Sequence, residues 1–286
     1  MDELVHANCL FLKERYSEAF DAYMEIINDR PDAIAASNLG YMYHRGIAVA
    51  QDYRMAMEFY IAACEDDGGA AYFNMALLYL RGLGVTANFK KAVELMRQSA
   101  DHGCAEARLY LGLAYLLGYA YDPAEIECVT LIPFYRVIYR DAESTPLLES
   151  EDYNNAPEKE RYAAIDCDTE DAFDMYRMLV NDHKEDPYAE RQAITAKLMM
   201  ARFYIDGITN HYNPKRGYLL LEHTAIHDHS REAAQFLLDN KSTAKMHKIN
   251  VPLLESLAEK SYFHPIMGKL TNPQHHTNAL LSKGKK

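Results

Sequence analysis

Tryptophan is absent from the 286 residues, and cysteine is scarce. Cys9, Cys64, Cys104, Cys128 and Cys167 are an odd five, with no Cys-x-x-Cys pair among them. The odd count speaks against a disulfide framework and the missing pair against a zinc site, so neither is expected. Basic charge is in deficit, with a formal net charge of −12. A protein that grips a phosphate backbone needs a basic stripe, so no nucleic-acid partner is expected. No apolar run approaches the length of a membrane span, so no membrane insertion is expected. The opening MDELVHANCLFLKERYSEAF has no basic start followed by an apolar stretch, which speaks against a secretory signal. A cytoplasmic location is the simplest reading.

What is present is the composition of a soluble globular protein, 49% hydrophobic and 25% charged. Tyrosine dominates the aromatics, at 22 residues, and its apolar ring with a polar tip suits both helix packing and binding surfaces. The length exceeds that of a typical single compact core, a limit that a repeat array escapes by growing along one axis. Charge is uneven. Residues 141–171 hold eleven Asp or Glu against only Lys159 and Arg161, so this stretch carries −9 of the −12. Such a run is usually a solvated face or loop, and it can also attract a basic partner.

Self-similarity is the decisive signal. The octet Leu39-Gly40-Tyr41-Met42-Tyr43-His44-Arg45-Gly46 returns 36 residues later as Met75 to Gly82, and again as Leu111 to Gly118. Tyr43, Tyr79 and Tyr115 align, as do Gly46, Gly82 and Gly118. A fourth copy runs from Met200 to Gly207. Beyond the octet, Val49 matches Val85, Asp52 matches Asn88, Ala56 matches Ala92 and Tyr60 matches Met96. Large and small residues at this spacing share one helical face. Gly or Ala at 40, 76, 112 and 201 removes the side chain where a partner helix comes near. Gly46 and its copies stop the first helix in a left-handed conformation. Asp52 and Asn88 suit the N-cap of a second helix, and Gly68 and Gly103 are expected to end it. One such pair cannot bury its own apolar face, so pairs must stack. The fold predicted is all-α, an α-α superhelix (solenoid) of stacked antiparallel helix pairs.

These residues resemble the Sel-1-like repeat, a relative of the tetratricopeptide repeat: Leu-Gly-x-x-Tyr-x-x-Gly-x-Gly-Val, then Asp, Lys-Ala and Ala-Ala-x-x-Gly. The likeness is strong over 35–118 and recognisable over 196–238. Ala48 departs from it at the second loop glycine, and Ala76 replaces another. Residues 1–31 look more like a tetratricopeptide pair, with Ala7, Ala19, Tyr23 and Pro31 at that motif's spacing and Tyr16-Ser17 at its turn. The resemblance implies a scaffold or adaptor role. It also brings an alternative, because a cysteine-rich secreted branch has been linked to β-lactamase-like hydrolysis. In that branch a second cysteine would follow Cys64 and Cys104 by about eight residues. Tyr72 and Gly112 stand there instead, and no Gly-x-Ser-x-Gly elbow replaces them. No enzyme activity and no cofactor are expected.

The period breaks between Gly118 and Gly207, 89 residues apart, which reads as one degenerate repeat with an insertion. A second helix could start at Pro123 after Asp122, and Pro133 would interrupt it. The acidic, turn-rich 142–156 reads as loop. A helix restarts near Pro157, with Tyr162, Ile165, Ala172, Phe173, Tyr176, Leu179 and Val180 on one side. The expected organisation is 1–31 as a first helix pair, 32–118 as well-matched repeats, 119–187 as the degenerate repeat with its acidic insertion, 188–240 as a further repeat, and 241–286 as a C-terminal cap and tail.

Carried over by register from the tetratricopeptide relatives, the concave, partner-binding positions are Tyr41, His44, Arg45, Phe73, Leu77, Arg81, Leu109 and Leu113. Apolar residues gathered in a groove mark a protein-binding site, unless the chain's own insertion or tail fills it. The Lys and Asn pattern that clamps a C-terminal carboxylate in some relatives is absent, with Tyr41, Leu77 and Leu113 at its key position. The partner expected is a protein or peptide segment; a purely structural or self-associating solenoid is the other non-enzymatic reading. His223 and His227 have a spacing that can bind metal, with His229 close by. No following Glu or Cys completes a known motif, so the cluster reads as a polar helix end and no metal is expected.

Overall fold

The structure, a computed structural model, describes residues 3–64, 68–121, 160, 164–182, 189–207 and 210–263. Among these are thirteen helices and no strand. They form two compact units, one running to Ala107 with a short stretch from Ala120, the other comprising Arg108–Tyr119 and the described residues from 160 onward.

The first unit contains three helix pairs: α1 (Glu3–Leu12) with α2 (Tyr16–Asp29), α3 (Ala33–Arg45) with α4 (Tyr53–Ala63), and α5 (Gly69–Arg81) with α6 (Phe89–Asp101). Side chains cap the starts of α3, α4 and α6. Asp32 accepts from the Ala35 N–H, Asp52 from those of Arg54 and Met55, and Asn88 from that of Lys91. Left-handed Gly46 (φ 68°) and Gly82 (φ 66°) stop α3 and α5. The N-terminal pair buries Ala7, Ala19 and Tyr23 completely. The Tyr23 hydroxyl and the Asn38 amide both donate to Asn8 Oδ1, at 2.7 and 3.2 Å, which ties α1, α2 and α3 together. The expectation that Gly68 ends α4 is corrected. Cys64 caps α4, and Gly68, at φ −80°, precedes α5. A side chain at Gly68 would place its Cβ 2.7 Å from the Cys64 Cα, so the glycine is there for close approach.

The second unit holds α8 (Thr169–Asp182), α9 (Glu190–Asp206), α10 (Pro214–His227), α11 (Arg231–Asp239), α12 (Lys241–Met246), α13 (Val251–Glu259) and all but the first turn of α7 (Ala105–Leu117). One backbone contact recurs in every repeat. The N–H of Asp52, Asn88, Asp168 and Asn213 donates to the carbonyl of Tyr43, Tyr79, Tyr115 and Tyr204, at 3.0, 2.9, 3.0 and 2.8 Å. Asp168 also caps α8 through the Glu170 and Asp171 N–H groups. So α8 is the second helix of the third repeat, which opens with α7, and Asp168 holds the capping role that the sequence offered to Asp122. Asp122, Pro123, Pro133 and Tyr162 lie outside the described residues. Ala172, Phe173, Tyr176 and Leu179 are buried on the inner side of α8, as the helical spacing requires, but the helix begins only at Thr169, so Ile165, expected on the same helix, is buried from the non-helical chain before it. Helices α9 to α13 enclose a common core around Leu198, Leu221, Leu237 and Leu254.

Candidate functional site

The residues expected at the binding face lie on α3 and α5 in the first unit, while Leu109 and Leu113 lie on α7 in the second. Tyr41 is buried, with its ring edge-on to Phe11 at 6.3 Å. Burial raises its hydroxyl pKa, and the Arg45 guanidinium beside it opposes that shift. His44 is 6% exposed, and its Nδ1 lies 3.3 Å from the Tyr60 hydroxyl. Burial, then the charges of Arg45 and Arg81, push its pKa down to about 4, so the ring is neutral at pH 7. Both arginines thus disfavour the charged form of one imidazole. Phe73 and Leu77 are 1% and 6% exposed. Leu109 and Leu113, in the second unit, are also buried. Arg45 is exposed and Arg81 half-buried. Of these eight residues only Arg45 is exposed.

A second recurrent feature escaped the sequence reading. One turn before the small residue of the first helix, a polar side chain reaches the end of the second helix. In the second repeat the Tyr72 ring meets His102 at 5.3 Å. In the third, Arg108 and Asp182 pair at 2.5 Å, with Arg108 5% exposed. In the fourth, Lys197 and Asp228 pair at 2.7 Å, with Lys197 8% exposed. Cations buried to this degree are stable only when paired. The signal was available: 72, 108 and 197 each stand four residues before 76, 112 and 201.

The Cys64 and Cys104 thiols are not poised for chemistry. Burial pushes Cys64 up to about 11, although the Tyr72 hydroxyl opposes the shift. Cys104 is raised further by burial and by Glu106. A nucleophilic cysteine needs the opposite shift. Tyr72, standing where the cysteine-rich branch would place a second cysteine, lies against Cys64 instead. In α10 the His223 and His227 rings face each other at 4.4 Å, while His229 lies against Tyr262 at 4.5 Å. Among the described residues no three His, Cys, Asp or Glu side chains converge to hold a metal, and no helix is long and apolar enough to cross a membrane.

Residues 33–67 and 69–104 match the Sel1 repeat family. They contain α3/α4 and α5/α6, with the left-handed glycines and N-caps described above. Comparison with curated proteins gives no match. Among solved structures, the chain is similar to a Sel1 repeat protein from Oxalobacter formigenes, with 19% identity, coverage of 98% of this chain and 99% of that one, and a TM-score of 0.61. It is also similar to a protective antigen present in uropathogenic Escherichia coli strains displaying an SLR fold, with 14% identity, coverage of 94% and 71%, and a TM-score of 0.34. The chain therefore carries two Sel1 repeats within an all-α solenoid fold of stacked helix pairs.

Proposed function

We propose that the chain is a non-catalytic interaction scaffold that binds a protein or peptide segment along the first-helix face of its repeats. The residues assigned are Tyr41, His44, Arg45, Phe73, Leu77 and Arg81, with Leu109 and Leu113 at the same register positions in the other unit. The observation that carries this reading is the placement of Arg45 and Arg81. They occupy one position in consecutive Sel1 repeats, directly before a left-handed glycine, and both act on His44. A guanidinium held this way suits carboxylates or backbone carbonyls of a docked segment. Because Phe73 and Leu77 are buried, contact begins at Arg45, and the apolar members contribute to shaping the face. The proposed organisation keeps an N-terminal pair over 1–31, repeats over 32–118, the insertion-bearing segment 119–187, completed by α8, a further repeat over 188–240 and a cap from 241. The free thiols of Cys9, Cys64, Cys104 and Cys167 suit a reducing compartment, and a cytoplasmic location is proposed.

Photo-crosslinking tests the assignment. A crosslinkable residue at position 45 should trap a discrete partner in cells, and one at exposed Lys90, on the second helix of the next repeat, should not. Trapping from position 90 alone would place the binding face on the other side of the repeats.

A further inference from the structure

We propose that the imidazoles of His223 and His227, on the exposed side of α10, form a two-point binding site for a late first-row divalent cation such as Cu2+ or Zn2+. The two residues are one turn apart, so their side chains project from the same helical face. Their ring centroids are 4.4 Å apart at an interplanar angle of 37°, and both side chains are exposed. Imidazole is a ligand of choice for both ions.

The helix that carries them is already fixed. Asn213 caps its start, accepting from the Arg216 N–H, and Pro214 occupies its first turn. At the other end the Asp228 N–H donates to the Thr224 carbonyl, and the Asp228 carboxylate is held by Lys197 at 2.7 Å. A cation bridging the pair therefore requires no refolding. It would also sit near the helix C-terminus, whose partial negative charge favours it. The positive charge of Lys197 is neutralised by Asp228.

The neighbouring candidate ligands are engaged elsewhere. Glu222 accepts from the Asn250 N–H at 2.8 Å, Asp228 is paired, and His229 lies against Tyr262. The protein thus supplies two ligands, and water or a side chain from a docked molecule completes the coordination. Such a site is open and exchangeable, unlike a closed structural zinc site with four protein ligands.

Calorimetric titration of the full chain with CuCl2 and with ZnCl2 tests this. The wild type should show one strongest site per chain. Either His223→Ala or His227→Ala should weaken that site on the order of 100-fold, because a chelate becomes a single ligand. His229→Ala and His247→Ala should leave it unchanged. Saturating metal should raise the unfolding midpoint of the wild type and leave both site variants where they were. Both histidines are exposed, so the variants fold, and circular dichroism verifies this. Full affinity in both alanine variants, or no binding by the wild type at millimolar metal, overturns the assignment.

Discussion

His44 stands where the next two repeats have Leu80 and Leu116, and Tyr60 stands where they have Met96 and Tyr176. In the first Sel1 repeat the two polar residues satisfy each other, with His44 Nδ1 and the Tyr60 hydroxyl 3.3 Å apart. In the third repeat the Tyr176 hydroxyl is buried and has no hydrogen-bond partner among the described residues. The same substitution should therefore act in opposite directions. Tyr60→Phe removes a made hydrogen bond and leaves His44 unpaired, so it should destabilise by about 1–2 kcal/mol. Tyr176→Phe removes only an unsatisfied group and should be neutral or stabilising by up to about 1 kcal/mol. Chemical denaturation of the two variants decides, and a loss at Tyr176 equal to that at Tyr60 would mean its hydroxyl is satisfied after all. His44 adds a pH dependence. Its folded pKa, about 4, lies below the ordinary value of 6.5 because burial and two arginines disfavour the imidazolium. The unfolded chain binds the proton first as pH falls. The contribution is therefore complete above about pH 6.5 and is lost towards pH 4, by roughly 3 kcal/mol for a shift of this size. The double variant His44→Leu/Tyr60→Met, which writes the second repeat's residues into the first, should lack that part of the acid sensitivity. Stability curves of equal steepness between pH 6.5 and 4 would show that His44 does not carry it.

Packing between the two helices of a repeat follows a rule of complementary size. A Cβ on Gly40 would lie 2.7 Å from the Tyr60 ring, and one on Gly112 would lie 2.6 Å from the Tyr176 ring. Where the first helix has alanine, at 76 and 201, the corresponding second-helix position holds the slimmer Met96 or Leu221, both buried. Gly40→Ala gains about 1 kcal/mol of helix propensity, but overpacking against a fixed ring costs about 1–3 kcal/mol, so net destabilisation is expected. Tyr60→Met removes the ring at the cost of the His44 contact, so Gly40→Ala should cost little on that background, giving a double-mutant coupling of about 1 kcal/mol or more. Additive effects in denaturant melts would mean that the ring moves aside freely. The sequence made this element legible because the 36-residue period, the small residue, the left-handed glycine and the N-cap are all local signals. Of the cross-helix pairs Arg108–Asp182 and Lys197–Asp228, only the cations were legible, four residues before the small residue; their partners lie 74 and 31 residues further on, with no fixed spacing to find them by. The candidate site was legible only in part. Register puts Arg45 and Arg81 at the same position of consecutive repeats, but it carries no information about burial, which encloses Phe73 and Leu77.

At the scale of the molecule, the recurrent tyrosine-carbonyl contact fixes where the period is interrupted. Five residues separate the stopping glycine from the N-cap in three repeats: 47–51, 83–87 and 208–212. In the third repeat the same two points, Gly118 and Asp168, are separated by residues 119–167. The two ends of this long connection are nevertheless held like those of the short ones. Gly118 has φ 68°, the Asp168 N–H donates to the Tyr115 carbonyl at 3.0 Å, and the Cys167 thiol reaches the Leu116 carbonyl at 3.6 Å. The repeat geometry on either side therefore does not depend on the connection's length. Replacing 119–167 with the five residues Leu83–Ala87 should leave a folded helical protein. Shortening the loop removes roughly 2 kcal/mol of closure entropy, while loss of the buried Tyr121 and Ile165 costs on the order of 2 kcal/mol each. The entropic gain offsets only half of that loss, so the variant should melt cooperatively at a somewhat lower temperature. Far-UV circular dichroism during a thermal scan checks both points. If helical signal from α7 and α8 is lost together with cooperativity, the two helices do not form one repeat, and the assignment of Asp168 as its N-cap is wrong.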